Sequence, residues 1–196
     1  VLTNPVRLHF ADFDGDGVIE LLETVFDPAQ GKEIVWRDYE TLTRAMPFLA
    51  ERAPTFAALG QTGIHELLGD RRAAVRALTV NTAETVLLLN RGDHLERRPL
   101  PIEAQFAPVF GIAVADFDGD GHEDLFLAQN FFGVELESPR YDAGRGLVLL
   151  GDGRGGFRAL SAAESGIALY GEGRGAAVAD FDGDARVDLA VGQQGG

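Results

Sequence analysis

The sequence predicts a mainly β protein built from four-stranded antiparallel units, and three observations carry that expectation. One Asp-rich segment occurs three times, each copy lies between two short apolar runs, and glycine- and aspartate-containing turns recur where hairpins need them. The stretches RLHFADFDGDGVIELLETV, GIAVADFDGDGHEDLFLAQ and GAAVADFDGDARVDLAVGQ stay in register on both sides of the shared segment.

The apolar runs Val6 to Ala11, Gly111 to Ala115 and Ala176 to Ala179 are too short for helices and are bounded by Gly and Asp, so they read as strands. Each Asp-rich segment then joins two strands. After the second copy, Gly146 to Leu150 and Gly156 to Leu160 flank GDGRG, a composition suited to a tight hairpin turn. One repeat is therefore a four-stranded antiparallel unit. The repeats start 104 and 64 residues apart, and the excess lies around residues 38–68, where the period turns helical. Leu42, Ala45, Met46 and Leu49 fall at i, i+3, i+4 and i+7, Ile64, Leu67 and Leu68 repeat that spacing, and Pro47 and Pro54 interrupt the run. Two or three short helices inserted into the first unit are expected. Strands resume at about Ala74 to Val80, Thr85 to Asn90 and Leu95 to Leu100, with a turn at Asn90-Arg91-Gly92-Asp93.

The expected organisation is a single repeat domain over residues 1–196. The first blade covers about 1–101 with its helical insert at 38–68, the second about 102–170, and a partial third about 171–196. The third stops after Asp188 to Gly192, two strands short. Closed propellers use roughly 4 to 8 blades, so these units make a partial β-propeller, either a piece of a larger one or a protein that completes itself with another chain.

Composition narrows the partners. The 196 residues are 45% hydrophobic, enough to bury a core, and 17 basic against 31 acidic residues leave a net charge of −14. That charge repels nucleic acid and anionic membrane surfaces and favours cations. Twelve of the 31 acids occupy matching positions in the three Asp-rich segments, and three bound divalent ions would bring −14 to −8. Cysteine is absent, so disulfides and thiolate sites are excluded and the metal expected is a hard, oxygen-ligated one. No segment approaches the roughly 20 apolar residues of a membrane helix. Val1 opens into strand-like sequence with no basic-then-apolar leader, which reads as a mature chain or an excised fragment.

Ca²⁺ takes six to eight oxygens at about 2.3–2.6 Å, and a nine-residue loop with acids at positions 1, 3, 5 and 9 and a carbonyl at position 7 supplies most of them. The ligands expected are Asp12, Asp14, Asp16, Glu20 and the Val18 carbonyl; Asp116, Asp118, Asp120, Asp124 and the His122 carbonyl; Asp180, Asp182, Asp184, Asp188 and the Arg186 carbonyl. Mg²⁺ fits less well because it demands rigid octahedral geometry and keeps several waters. Positions 4 and 6 are glycine except at Ala185, whose strain, if φ is positive, costs on the order of 1 kcal/mol and makes the third site the weakest. A solvated turn without an ion would explain one such copy; three copies with every acid position matched argue for ions. The first copy also fits the twelve-residue EF-hand pattern through Glu23, but the equivalent positions are Leu127 and Val191, and no amphipathic helix enters any loop.

These loops and flanks resemble the FG-GAP, or VCBS-type, repeats of α-integrin propellers and of many secreted bacterial proteins. The resemblance covers Val6 to Phe26 and about Ile102 to Gln193. It implies a β-propeller of four-stranded blades with calcium on the strand-connecting loops, carried by the twelve acids already named, in an extracellular or cell-surface protein. Family members mostly bind proteins or sugars or act as scaffolds. The helical insert departs from the plain repeat.

The expected function is a calcium-stabilised extracellular scaffold or adhesion module whose partner is a protein or another copy of itself, assembled head-to-tail into a homo-oligomer or filament. The alternative is a glycan-binding module or part of a polysaccharide-acting hydrolase. No Gly-x-Ser-x-Gly occurs and none of the three serines neighbours a histidine, so an enzyme is not expected; pairing of distant carboxylates such as Glu135 with Glu137 or Asp142 stays open. His9, His65, His94 and His122 receive no role. Phe13, Phe117 and Phe181, at loop position 2, are expected to be buried plugs. Phe131, Phe132, Arg140 and Tyr141, in the long connector 130–145, suit either a sugar or protein contact or packing against the helical insert.

Overall fold

The computed structural model describes residues 4–134 and 138–194. The chain divides into two compact units, Val1–Ala83 and Glu84–Gly196. Within both, the structure is mainly β, with several antiparallel sheets, none of them closed.

In the first unit, strands β1 (Val6–Ala11), β2 (Glu20–Asp27), β3 (Lys32–Val35) and β4 (Arg76–Val80) form one sheet in the order β3-β2-β1-β4. Four short helices fill the interval between β3 and β4: α1 (Tyr39–Ala45), α2 (Phe48–Arg52), α3 (Phe56–Gln61) and α4 (Ile64–Leu68), followed by a 3-10 segment, Gly69–Ala74. Pro47 and Pro54 punctuate them as expected. Asp38 accepts the Thr41 N–H at 2.8 Å and the Thr55 hydroxyl accepts the Ala58 N–H at 3.1 Å, so α1 and α3 start on side-chain caps. Leu42, Met46, Leu49, Ile64, Leu67 and Leu68 are buried against Ala11, Phe13, Leu22 and Val35. The insert thus covers one face of its own sheet, and Leu21, Leu78 and Val80 on the other face are exposed. On the covered face, His9 Nε2 lies 2.6 Å from Glu33, which also accepts from Thr24 and, at 2.7 Å, from Arg7. Burial pushes the Glu33 carboxyl up, but these hydrogen bonds and the His9 and Arg7 charges outweigh it and hold it below the usual range.

The strand grouping differs from the sequence expectation in three respects. The fourth strand of the first sheet is β4, which returns after the helices to pair along β1, and β3 is a strand that periodicity did not mark. The segment 86–99 forms a separate hairpin of β5 (Val86–Asn90) and β6 (Leu95–Pro99), closed by the Arg91 N–H to His94 carbonyl bond at 2.9 Å.

In the second unit, β7 (Val109–Ala115), β8 (Asp124–Gln129), β9 (Leu147–Gly151) and β10 (Phe157–Ala159) form a four-stranded sheet ordered β10-β9-β8-β7. A short helix, α5 (Ala162–Ser165), leads to the pair β11 (Glu172–Ala179) and β12 (Asp188–Gln194). Both faces of the β7–β10 sheet are covered. Leu127, Leu147 and Leu149 pack with Leu100, Ala104 and Leu87 on one side, while Ala113, Phe126, Ala128 and Val148 meet Ala176, Val178, Leu189 and Val191 on the other. This two-sided burial explains why β8 reads as an apolar run rather than an alternating one.

Where β7 and β11 cross, Gly111 lies so close to Gly175 that a Cβ on it would sit 2.9 Å from the Gly175 Cα. Toward the Asp-rich loops the same two layers separate, and a cleft of about 370 Å³ opens, lined by Phe117, Val148, Leu150, Ile167, Val187 and Leu189 among others. The connector after β8 is held by Asn130, buried at φ 89°, whose amide donates to the carbonyls of Gly144 (3.0 Å) and Gly171 (3.1 Å) and accepts from the Gly144 N–H (2.9 Å). Phe131 pairs with Tyr141 through two backbone bonds, and the Arg174 guanidinium stacks 4.2 Å over Phe110. Phe131 and Phe132 are half-buried and Arg140 and Tyr141 exposed. Residues 135–137 lie outside the described residues, and with them the carboxylate pairing considered for Glu135 and Glu137.

Candidate metal centres

Each Asp-rich loop is a crossing between two antiparallel strands whose last pair flanks it: Ala11 opposite Glu20, Ala115 opposite Asp124, Ala179 opposite Asp188. Position 9 is therefore the first residue of the outgoing strand. The chain must turn back within eight residues, and it does so by folding its own N–H groups onto its carboxylates. In every copy, the position 1 carboxylate accepts three backbone N–H groups: Asp12 from Gly15, Asp16 and Gly17, Asp116 from Gly119, Asp120 and Gly121, and Asp180 from Gly183, Asp184 and Ala185. Position 3 accepts from position 5, position 5 from position 7, and position 9 from position 2. The distances repeat closely: the position 6 N–H lies 2.9 Å from the first Asp in all three loops.

Positions 4 and 6 adopt positive φ throughout, 86° and 90° in the first loop, 80° and 87° in the second, 80° and 67° in the third. Ala185 is the one of these six with a Cβ, and it bears the strain anticipated for it. Asp116 is held below the usual carboxylate range, first by the Gly121 N–H and then by those of Gly119 and Asp120, against an opposing contribution from burial.

The fold brings Asp12, Asp14, Asp16 and Glu20 together, then Asp116, Asp118 and Asp124, then Asp180, Asp182 and Asp188, each set with one oxygen per residue within 4.8 Å of the others. Asp120 and Asp184 fall outside these sets; each instead accepts the position 7 N–H, from His122 and Arg186, at 2.8 Å. Asp16 makes the same bond to Val18 and still belongs to its set. The carbonyls of Val18, His122 and Arg186 sit in the same turns. The donors are all oxygen. Ligands 2.3–2.6 Å from an ion lie at most about 4.6–5.2 Å apart, so each set spans what a single ion requires. Among the described residues, no lysine or arginine forms an ion pair with any of the twelve acids. The three clusters are thus able to hold metal ions. Glu23, which would complete an EF-hand, is instead clamped by Arg37 at 2.6 and 2.7 Å, and strands rather than helices flank the loop.

The loops differ in what supports them. Arg71 donates to the Phe13 carbonyl at 2.5 Å and stacks 4.3 Å over Phe48, tying the first loop to the helical insert. Asp124 is fully buried and uses both oxygens, accepting the Phe117 N–H at 2.8 Å and the Gly151 N–H, in β9, at 2.8 Å. Neither tie was visible in the sequence, since each partner lies 27 or more residues away. The expected phenylalanine plugs form a gradient: Phe13 is 2% exposed, Phe117 half-buried against the core, and Phe181 is 62% exposed. Phe181 departs from the expectation: among the described residues it joins none of the core clusters. Among the described residues, none of the four histidines enters a cluster.

Comparison with known families matches residues 109–149 to the FG-GAP repeat, a span running from β7 through the second loop into β9. No curated protein and no solved structure matches the chain. FG-GAP repeats are those of β-propellers, typically extracellular and of adhesion type, and no helix among the described residues is long and apolar enough to cross a membrane. By its loop, the strand order around it and this match, the segment 109–149 is an FG-GAP-type repeat.

Proposed function

We propose that this chain is a calcium-binding extracellular scaffold or adhesion module, a run of β-propeller blades in which three Ca²⁺ ions brace the strand-connecting loops. The observation that carries the reading is the sixfold hydrogen-bond pattern repeated in all three loops, which gathers three or four carboxylates at each with no lysine or arginine among the described residues paired to them. Uncompensated carboxylates at that spacing repel one another, and a divalent ion bound to the native state alone stabilises it by mass action. Extracellular modules of this kind bind near 10⁻⁴ to 10⁻³ M, matched to millimolar calcium outside cells. The role is binding and support rather than catalysis. The partner is a protein, and a second copy is a candidate: the exposed apolar face carrying Leu21, Leu78 and Val80 and the exposed strand β4 favour head-to-tail association.

A thermal melt with light scattering, in millimolar calcium and again in EDTA, tests this. Chelation should lower the midpoint by several degrees, and calcium should raise the scattering mass above that of one 21.0 kDa chain. An unchanged midpoint removes the structural role of the ions; a monomer at high concentration in calcium removes self-association.

A further inference from the structure

We infer that Arg71 is a positioning residue for the first Asp-rich loop, through which an ion bound there and the helical insert stabilise each other. The inference rests on the calcium reading above and adds a regulation to one of the three sites: the insert becomes the part of the first unit that responds to calcium.

Position 2 lies between the first two carboxylates of each loop, and in the first loop all of its groups are committed. The Phe13 N–H donates to Glu20 at 2.7 Å, its ring is buried in the core cluster that holds Leu42, Leu49 and Ile64 of the insert, and its carbonyl accepts from Arg71. The described bonds of Phe117 and Phe181 are those of their N–H groups, to Asp124 and Asp188. The first loop is also the one in which the position 5 acid, Asp16, joins the cluster. Holding the Phe13 carbonyl fixes the peptide that leads into Asp14, and a loop ordered before the ion arrives has less freedom to lose on binding.

Arg71 is itself held by the insert. Its guanidinium stacks 4.3 Å over Phe48, the first residue of α2. That helix ends at Arg52, whose guanidinium donates to the Glu66 carbonyl at 3.2 Å and lies over Gly69, where a Cβ would sit 2.4 Å from it. The segment Gly69–Ala74, which carries Arg71, is therefore seated on α2 at two points. Loosening of α2 frees Arg71, and with it the Phe13 carbonyl.

Charge and position pull in opposite directions here. A guanidinium beside the loop, by its charge alone, weakens binding of a cation. Arg71 is aimed at a neutral carbonyl rather than at a carboxylate, however, so it takes no ligand from the ion. It is exposed, so water and salt screen its charge, whereas its bond to Phe13 acts through the backbone of the loop; position outweighs charge.

The test is a calcium titration of the full chain followed by NMR at the amides of Gly17, Gly121 and Ala185, each of which donates to the first Asp of its own loop and so reports one site. Arg71→Met, which keeps a stem over Phe48 but loses the donor, should weaken the first site about fivefold and leave the other two unchanged, and Arg71→Lys should recover most of the loss. Reciprocity requires the same coupling from the other side. In the unmodified chain, saturating calcium should slow hydrogen exchange at the insert amides of Met46, Ala53 and Leu67 by at least about fivefold relative to EDTA, a measurement that needs no variant. An unchanged or tighter first site in Arg71→Met, equal weakening at all three sites, or insert amides indifferent to calcium overturns the inference and leaves the calcium reading intact. Loop amides that ignore calcium at all three sites overturn that reading, and the inference with it.

Discussion

The second and third Asp-rich loops share a motif and a hydrogen-bond pattern, yet they stand on different foundations. In the second, Asp124 is buried and reaches beyond its own loop to Gly151, so the loop and the β9 end of the sheet share one carboxylate. In the third, Asp188 accepts only the Phe181 N–H among its described bonds, Phe181 is exposed, and Ala185 sits at φ 67° where its counterpart is Gly121. A nine-residue motif sets how the chain turns. How much a bound ion can add depends on what the turn is attached to.

The widest contrast should come at loop position 2. Replacing Phe13, 2% exposed, by Ala should cost about 3–5 kcal/mol, and replacing the exposed Phe181 less than about 1 kcal/mol, both read from denaturant unfolding in excess calcium. Similar losses would mean that the third loop is covered in solution. Position 9 should follow. Asp124→Ala leaves two N–H groups without an acceptor and should cost about 2–4 kcal/mol, against about 1 kcal/mol for Asp188→Ala. Equal costs would show that the Gly151 tie contributes nothing. A smaller gain is expected from Ala185→Gly, which relieves the left-handed alanine and should stabilise by about 0.5–1 kcal/mol, whereas Gly121→Ala should destabilise by at least as much. Terbium luminescence at the third loop should strengthen in parallel. The smallest effect is the acid limb without calcium. Glu33 and Asp116 titrate below their ordinary 4.5 and 3.8, so the stability they add is complete above those values and is lost as pH falls through the lower folded ones. A pH series of melts in EDTA should be flat near neutrality and decline below about 4.5, and a decline already present at pH 6 would point to another group.

Much of this was legible from the chain. Loop boundaries, the strands on either side of each loop and the two hairpin turns follow from Asp and Gly at fixed spacing, because their chemistry is local. The gradient across Phe13, Phe117 and Phe181 was not legible, since the three residues have the same neighbours in sequence and differ only in the layer packed above them. β3 escaped because Lys32 to Val35 is four residues with one buried side chain, too little for a period of two to register. The placement of β4 beside β1 escaped because pairing across a helical insert carries no local signal. Asp120 and Asp184, expected as ligands by position, each accept the position 7 N–H through one oxygen and lie outside the clusters of their loops.

The contact between Gly111 and Gly175 acts as a hinge pin. Two glycines let adjacent layers touch at one end, while at the other Phe117 and Val187 line a cleft between them, so the gap between the layers is a wedge rather than a slab. The spacing of these two layers is therefore set by two glycines, and a single methyl group at residue 111 would force β11 away from β7.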